Sequence, residues 1–367
     1  MRLGLNLGYS GSSMGMDLTL VQEADRLGFH SVWSAEAYGS DAVTPLTWVA
    51  ARTERIRVGT AIMQLAGRTP VLTATTALTL DQLPAGASSW AWASRGRRWW
   101  KAGMAFPSGS RWGARARYVE IVRSVWRRER PVEFKGEFYQ IPYRGADATG
   151  LEAAQVHFST AAPTSPSYLA AIGPKNVAPA AEIADGLLPI FFSAQRMKVF
   201  REYLDAGFRA AGGGSRWRPS TWRPRWPSCR ATTSIAAAPR SSRDWRCTWA
   251  AWGRGKNFYN DLVSRYEHEG EARRIQDLYL AGKKEDAAAA VPGRPRGRDR
   301  AVRPRRAHPR AAREPGRRRA SPPLICGAKS PEALRPDGGS WRSERPGEAG
   351  RGAGSQPPSP SGTRAPA

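Results

Sequence analysis

The feature that most narrows what this chain can fold into is a strand pattern followed by a helix pattern, repeated from its first residues. Residues 3–7 alternate Leu, Gly, Leu, Asn, Leu with the period of two of a strand, and 17–28 (DLTLVQEADRLG) set Leu18, Val21 and Ala24 at helical spacing before Gly28. SVWSAE (31–36) then predicts a strand, TPLTWVAART (44–53) a helix, IRVGTAIM (56–63) a strand, and PVLTATTALTLDQL (70–83) a helix opened by proline in its first turn. The alternation resumes with a strand at 168–173, a helix at 174–186, a strand at 187–192 and a helix at 193–208, while FKGEFYQI (134–141) predicts a hairpin turning on Gly136. Such a series implies parallel strands joined by right-handed crossovers. The choice is between an open doubly wound sheet and a closed (β/α)8 barrel, and residues 1–291 suit the barrel's ordinary length. No GxGxxG follows the first strand, which weighs against a dinucleotide-binding sheet.

Composition points elsewhere at first sight. The 367 residues hold 57 Lys+Arg against 31 Asp+Glu, a net +26, and 15 Trp, which together suggest a nucleic-acid binder. The charge is not spread evenly, however. Residues 1–83 carry 6 basic and 7 acidic side chains, 118–208 carry 10 of each and 254–287 carry 7 of each, so the whole excess lies in 84–117, 209–253 and 288–367. Apart from Trp33, Trp48 and Trp126, every tryptophan lies there too.

The genetic code offers a reason. Trp has one codon and Met one, so neighbouring residues fix part of the underlying nucleotides. Reading 89–104 (SWAWASRGRRWWKAGM) from the third base of each codon, Trp90-Ala91 and Trp92-Ala93 force glycine, Trp99-Trp100 valine, Trp100-Lys101 glutamate and Met104-Ala105 glycine. The shifted text becomes an apolar, glycine-ended strand and loop that runs into the in-frame Tyr118. A similar shift turns 244–253 into apolar, glycine-rich text that meets the in-frame Lys256. The expectation is therefore a barrel over 1–291 in which 84–117 and 209–253 are frameshifted and irregular, followed by a frameshifted, disordered basic tail over 292–367. On this reading the chain lacks its fourth strand, and an inactive product is one alternative. A basic nucleic-acid-associated protein is another, but the basic stretches show no helix periodicity, zinc spacing or RNP-like motif, so no specific nucleic-acid partner is expected.

Cys229, Cys247 and Cys326 have no CxxC spacing, and His30, His157, His268 and His308 form no constellation, so no metal is expected. The first residues have no long apolar stretch and no later segment approaches a membrane span, which predicts a cytoplasmic protein without a membrane partner. Glu36, at the end of the second strand, can be a cofactor hydrogen-bond acceptor, a proton donor or the cap of the next loop. Tyr38, Ser40 and Asp41 follow it in a polar segment that either lines a pocket or is simply solvated.

Six stretches, LGLNLGY (3–9), VWSAEAYGSDA (32–42), VGTAIMQLAGRTP (58–70), YLAAIGPKNV (168–177), IADGLLPIFF (183–192) and KNFYNDLVSRYEHEG (256–270), resemble in order and spacing the luciferase-like flavin and deazaflavin oxidoreductases, most of all the coenzyme F-420-dependent branch. The resemblance implies a (β/α)8 TIM barrel with the redox ring at the C-terminal mouth of the strands and a small-molecule substrate beside it. It implies Glu36 as the acidic cofactor contact and catalytic group. It implies Ala61 and Ile62 as a bulge carrying a non-proline cis peptide behind the ring, and Gly173, Pro174 and Lys175 as the turn that holds the cofactor phosphate, where Lys175 and Asn176 keep main-chain N–H donors that proline lacks. Tyr38 and Ser40 are the expected substrate contacts where the polar segment after Glu36 lines the pocket. In the sugar-phosphate dehydrogenase branch a histidine follows the acid; here Ala37 stands there, which favours reduction of an activated C=C or C=N acceptor over alcohol oxidation. Coenzyme F-420 is the implied cofactor, with FMN, and so monooxygenation, as the alternative; many relatives form homodimers.

Overall fold

A computed structural model of the chain describes residues 3–37, 39–83, 88–93, 112–152, 167–190, 196–212, 257–290, 324–326 and 334. The first half follows the predicted alternation closely: β1 (Leu3–Gly8), α1 (Leu18–Arg26), β2 (Ser31–Ser34), α2 (Val43–Ala50), β3 (Arg57–Gln64) and α3 (Pro70–Asp81). The helix starts have local causes. Asp17 accepts from the Leu20 N–H to cap α1, and Thr69 accepts from the Leu72 N–H to cap α3, whose first residue is Pro70. Gly28, at φ 78°, ends α1 in the left-handed region that glycine enters without strain.

Next come β4 (Ser88–Ala93), α4 (Trp112–Arg127) and a short antiparallel hairpin of β5 (Phe134–Lys135) and β6 (Gln140–Ile141), closed by the Gly136 N–H to the Tyr139 carbonyl at 3.0 Å. Then follow β7 (Ser167–Leu169), α5 (Pro174–Ile183), β8 (Gly186–Leu187), α6 (Lys198–Ala210), α7 (Phe258–Arg265), α8 (Glu269–Leu280), α9 (Lys284–Ala289) and β9 (Leu324–Cys326). The strand predicted at 187–192 is shorter in the structure, and its last two residues lie outside the described ones.

Seven strands form one parallel sheet in the order β8-β7-β4-β3-β2-β1-β9. Chain order runs steadily across the sheet, and the last strand lies beside the first, as in a singly wound barrel; a doubly wound sheet reverses direction part-way. Curvature is visible in the interior packing. β2 and β7 are three strand steps apart, about 14 Å in a flat sheet, yet the rings of Trp33 and Tyr168 meet edge to face at 6.1 Å. Trp33, Ala61, Ile62, Tyr168 and Leu188 thus form an interior cluster enclosed by a rolled sheet. Gly4 is required there, since a Cβ would sit 2.8 Å from the Trp33 indole nitrogen.

Helices cover the outside. Leu3, Leu5, Val32 and Val58 pack against Leu20, Val21, Leu46 and Val49 of α1 and α2, while Met63 packs with α3 and α4 around Ala74, Leu78, Tyr118 and Trp126. Val177 and Ala181 of α5 meet Phe200 and Leu204 of α6 and Leu262 of α7. This is the (β/α)8 architecture expected from the sequence, with seven of its strands among the described residues.

Two expectations need correction. Residues 88–93, placed in a segment expected to be irregular and to lack the fourth strand, form β4 between β3 and β7, and 112–117 open α4. The physical reason is that SSWAWA alternates with strand period on its own account, and two flanking parallel strands present free N–H and C=O rows to any extended segment between them. Likewise 324–326, within the expected disordered tail, pair in parallel with β1, and 209–210 finish α6. Nearly all the other residues of the three basic segments, including 244–253, lie outside the described ones.

Candidate functional site

The C-terminal ends of β2 and β3 are tied by one carboxylate. Glu36 follows β2, is 7% exposed, and donates its own N–H to the Ile62 carbonyl at 3.1 Å. Its Oε1 accepts from the Gln64 N–H at 2.7 Å and its Oε2 from the Ala42 N–H at 3.1 Å, while Arg68 Nη1 lies 3.0 Å from both oxygens. A carboxylate offers about four lone-pair positions, and these four contacts use them. Glu36, expected as the catalytic and cofactor-contacting acid, is therefore built as an anchor: it joins the β2–α2 segment, the end of β3 and the turn after it. A proton-donor role would require it to give up a charge-assisted partner.

Arg68 is held from both sides. Its guanidinium also reaches Asp41 Oδ1 at 3.5 Å, and its carbonyl accepts from the Tyr118 hydroxyl at 3.2 Å. Asp41 Oδ1 in turn accepts from the Val43 and Thr44 N–H groups at 2.8 and 3.0 Å, so this side chain caps α2. Burial alone raises the Asp41 carboxyl's pKa, but the hydrogen bonds from Thr44 and Val43 and the charge of Arg68 outweigh it and leave the group below its ordinary value. The buried Tyr118 hydroxyl sits 2.5 Å from Thr73 Oγ1, and desolvation pushes its pKa well above the phenol's usual range despite that bond.

Ser40, expected to touch substrate, tethers two loops: its hydroxyl accepts from the Ser10 N–H and its own N–H donates to the Ser10 carbonyl, both at 2.9 Å. Gly39 permits this approach, because a Cβ there would lie 1.7 Å from the Ser10 oxygen. Tyr38 lies outside the described residues.

Ala61-Ile62 is a cis peptide, and the register with β4 shifts between Ala61 and Met63, which is the bulge the resemblance implied. Ala61 and Ile62 both turn to the barrel interior beside Trp33. The Gly173–Lys175 turn opens α5 at the same end of the sheet, with Gly173 at the N-cap making no side-chain cap and Pro174 in the first turn. Of the two N–H donors expected there, that of Asn176 bends back to the Gly173 carbonyl at 2.9 Å. A positive group stands beside this helix start: Arg115 donates to Asn176 Oδ1 at 3.2 Å, and desolvation lowers its pKa to about 10. Cation and helix N-terminus together favour an anion.

Sequence reasoning named Glu36, Ala61 and Ile62, which the structure gathers at neighbouring strand ends, but missed Arg68, Gln64 and Arg115. A polar glutamine and an arginine close after an apolar strand were the available signal for the first two. Two shallow depressions, of about 470 and 530 Å3, lie on the outer faces of α8 and α6 and are lined by neither these residues nor any strand end. Among the described residues no cluster of His, Cys, Asp or Glu could hold a metal, and no helix is long and apolar enough to cross a membrane.

Comparison with known proteins agrees with this fold. The sequence pattern of the luciferase-like monooxygenases matches residues 4–301. A Mycobacterium tuberculosis protein named as a coenzyme F-420-dependent oxidoreductase is 38% identical over 302 residues, covering 80% of this chain and 85% of its own. An F-420-dependent glucose-6-phosphate dehydrogenase of Kineococcus radiotolerans is 28% identical over 230 residues, 57% of this chain and 65% of its own. Among solved structures, the coenzyme F-420-dependent tetrahydromethanopterin reductase of Methanopyrus kandleri shares the fold with a TM-score of 0.55 at 18% identity, covering 80% of this chain and 83% of that one.

Proposed function

The chain belongs to the luciferase-like monooxygenase family, and from that premise we propose that it is an oxidoreductase transferring hydride between coenzyme F-420 and a small organic acceptor. The observation that carries this reading is the 38% identity, over four-fifths of the chain, to a protein named for dependence on that coenzyme. The residues present suit such a group: an uncapped helix start beside the desolvated Arg115 suits its phosphate, and the apolar interior wall of Trp33, Ala61 and Ile62 suits the flat ring.

The reduced coenzyme, when bound, supplies two electrons as hydride. The protein's share is position and exclusion of water. Ala61 and Ile62 back the ring, and Gly173, Pro174 and Lys175 hold the anionic end. Glu36 and Arg68 fix the ends of β2 and β3 so that these contacts keep their spacing. Ala37, following Glu36, brings no imidazole to accept an alcohol proton, so an activated C=C or C=N acceptor is the proposed substrate class, with solvent delivering the proton that completes reduction. The family's monooxygenase name supports FMN as a second cofactor reading. A cytoplasmic homodimer acting on a diffusible small molecule completes the proposal, and the basic stretches are proposed to be frameshifted text, tested by resequencing the DNA across codons 83–118.

The test of activity is single-turnover oxidation of reduced F-420, followed by absorbance, with a panel of activated alkenes and imines. Acceptor-dependent oxidation supports the proposal. Reduction of oxidised F-420 by secondary alcohols, with no alkene or imine oxidising the reduced coenzyme, overturns the substrate class.

A further inference from the structure

Gln64 is the last residue of β3 and is fully buried, yet among the described residues neither Nε2 nor Oε1 of its side chain has a hydrogen-bond partner. Burying a polar group unpaired is costly, and the exceptions in a folded protein ask for a reason. Strand geometry says where the amide stands. Met63 packs outward against α3 and α4, so Gln64, one residue on, belongs to the opposite, interior face. Along that face the next residue inward is the partly exposed Ile62, beside Trp33, Ala61 and Tyr168. The Gln64 main chain, by contrast, is pinned, its N–H donating to Glu36 Oε1 at 2.7 Å. A fixed backbone carrying an unpaired amide at the C-terminal mouth of a barrel is the arrangement of a ligand contact prepared in advance.

We propose that the Gln64 amide hydrogen-bonds the pyrimidinedione edge of the bound redox ring. This rests on the proposed function. A primary amide offers two N–H donors and one carbonyl, which match a ring edge where a C=O adjoins an N–H and can meet it in two parallel bonds. Deazaflavin and flavin both carry that edge, so the inference holds for either cofactor. Glu36 then acts on the ring through Gln64, as a positioning residue.

The experiment titrates the full chain, wild type and Gln64→Met, with F-420 and separately with FMN, following quenched cofactor fluorescence, and records the melting temperature of each protein without cofactor. Methionine keeps the length and removes the polar atoms. The expected result pairs two opposite changes: cofactor binding about tenfold weaker or worse, and a melting temperature about 2 °C or more higher, because an unpaired buried amide is gone. A measurement on the unaltered protein stands beside it: the N3-methyl analogue of whichever cofactor binds, which lacks the edge N–H, should bind about tenfold more weakly. If wild type binds a cofactor while Gln64→Met and the methylated analogue bind just as tightly, this inference is overturned and the proposed function stands. If wild type binds neither cofactor, both are overturned.

Discussion

Arg68 Nη1 lies 3.0 Å from both carboxylate oxygens of Glu36, across 32 residues of chain, and this pair holds the ends of two adjacent strands in register. Both side chains are largely buried. Arg68→Met leaves the Glu36 charge with main-chain donors alone and should destabilise the fold by about 3 kcal/mol, the lower end for breaking a buried pair. Urea denaturation of Arg68→Met, Glu36→Gln and the double variant measures it. The double variant should lose less than the two single losses combined; simple additivity would show that the two residues do not interact.

Asp41 should set part of the acid limb of stability. Its folded pKa is below the ordinary carboxylate value of about 4, so its contribution is fully present above that value and is lost as the pH falls through the folded one. Wild type should therefore lose stability on acidification below about pH 4 more steeply than Asp41→Asn, in which that proton uptake is absent. Parallel acid limbs for the two proteins would show that the Thr44 and Val43 contacts do not form in solution.

Two phenols, that of the buried Tyr118 and that of the half-buried Tyr139, should resist ionisation. Tyr139 is pushed up to about 12 by desolvation, and Tyr118 lies higher still for the same reason. An ultraviolet titration should find these two absent from the set that ionises near pH 10, while Tyr118→Phe should cost about 1–3 kcal/mol by stranding the Thr73 hydroxyl and the Arg68 carbonyl. A Tyr118→Phe protein as stable as wild type would contradict the network.

Two glycines should tolerate no side chain. A Cβ at Gly207 would sit 2.0 Å from the Ala178 oxygen where α5 and α6 meet, and one at Gly39 would strike the Ser10 carbonyl. Gly207→Ala should lower global stability by about 1–3 kcal/mol through overpacking. Gly39→Ala should act locally, freeing Ser40 from Ser10 and raising hydrogen exchange at the Ser10 and Ser40 amides. Unchanged exchange there would remove Ser40's role as a tether.

Legibility in the sequence followed the range of the forces involved. Helices α1 and α3 were readable because their caps, Asp17 and Thr69, and their apolar spacing lie within one or two turns. The barrel was readable from the strand–helix alternation. The part played by Arg68 was hidden, since its partner is set by how β2 and β3 lie side by side and not by anything near it in the chain. The tether made by Ser40 was hidden for the same reason: its partner, Ser10, sits on a different loop. β4 was obscured by composition, which marked 84–117 as foreign while leaving the short alternation of 88–93 intact.

The most direct test of the account is equilibrium binding of F-420 to the full chain, followed by fluorescence and repeated from low to high salt. High salt is needed because a net +26 attracts any phosphate without a built site. The account predicts one saturable site whose occupancy persists at high salt, with a quenched, water-shielded ring. Quenching that is present at low salt and vanishes at high salt would mean that only charge was at work and would contradict the account.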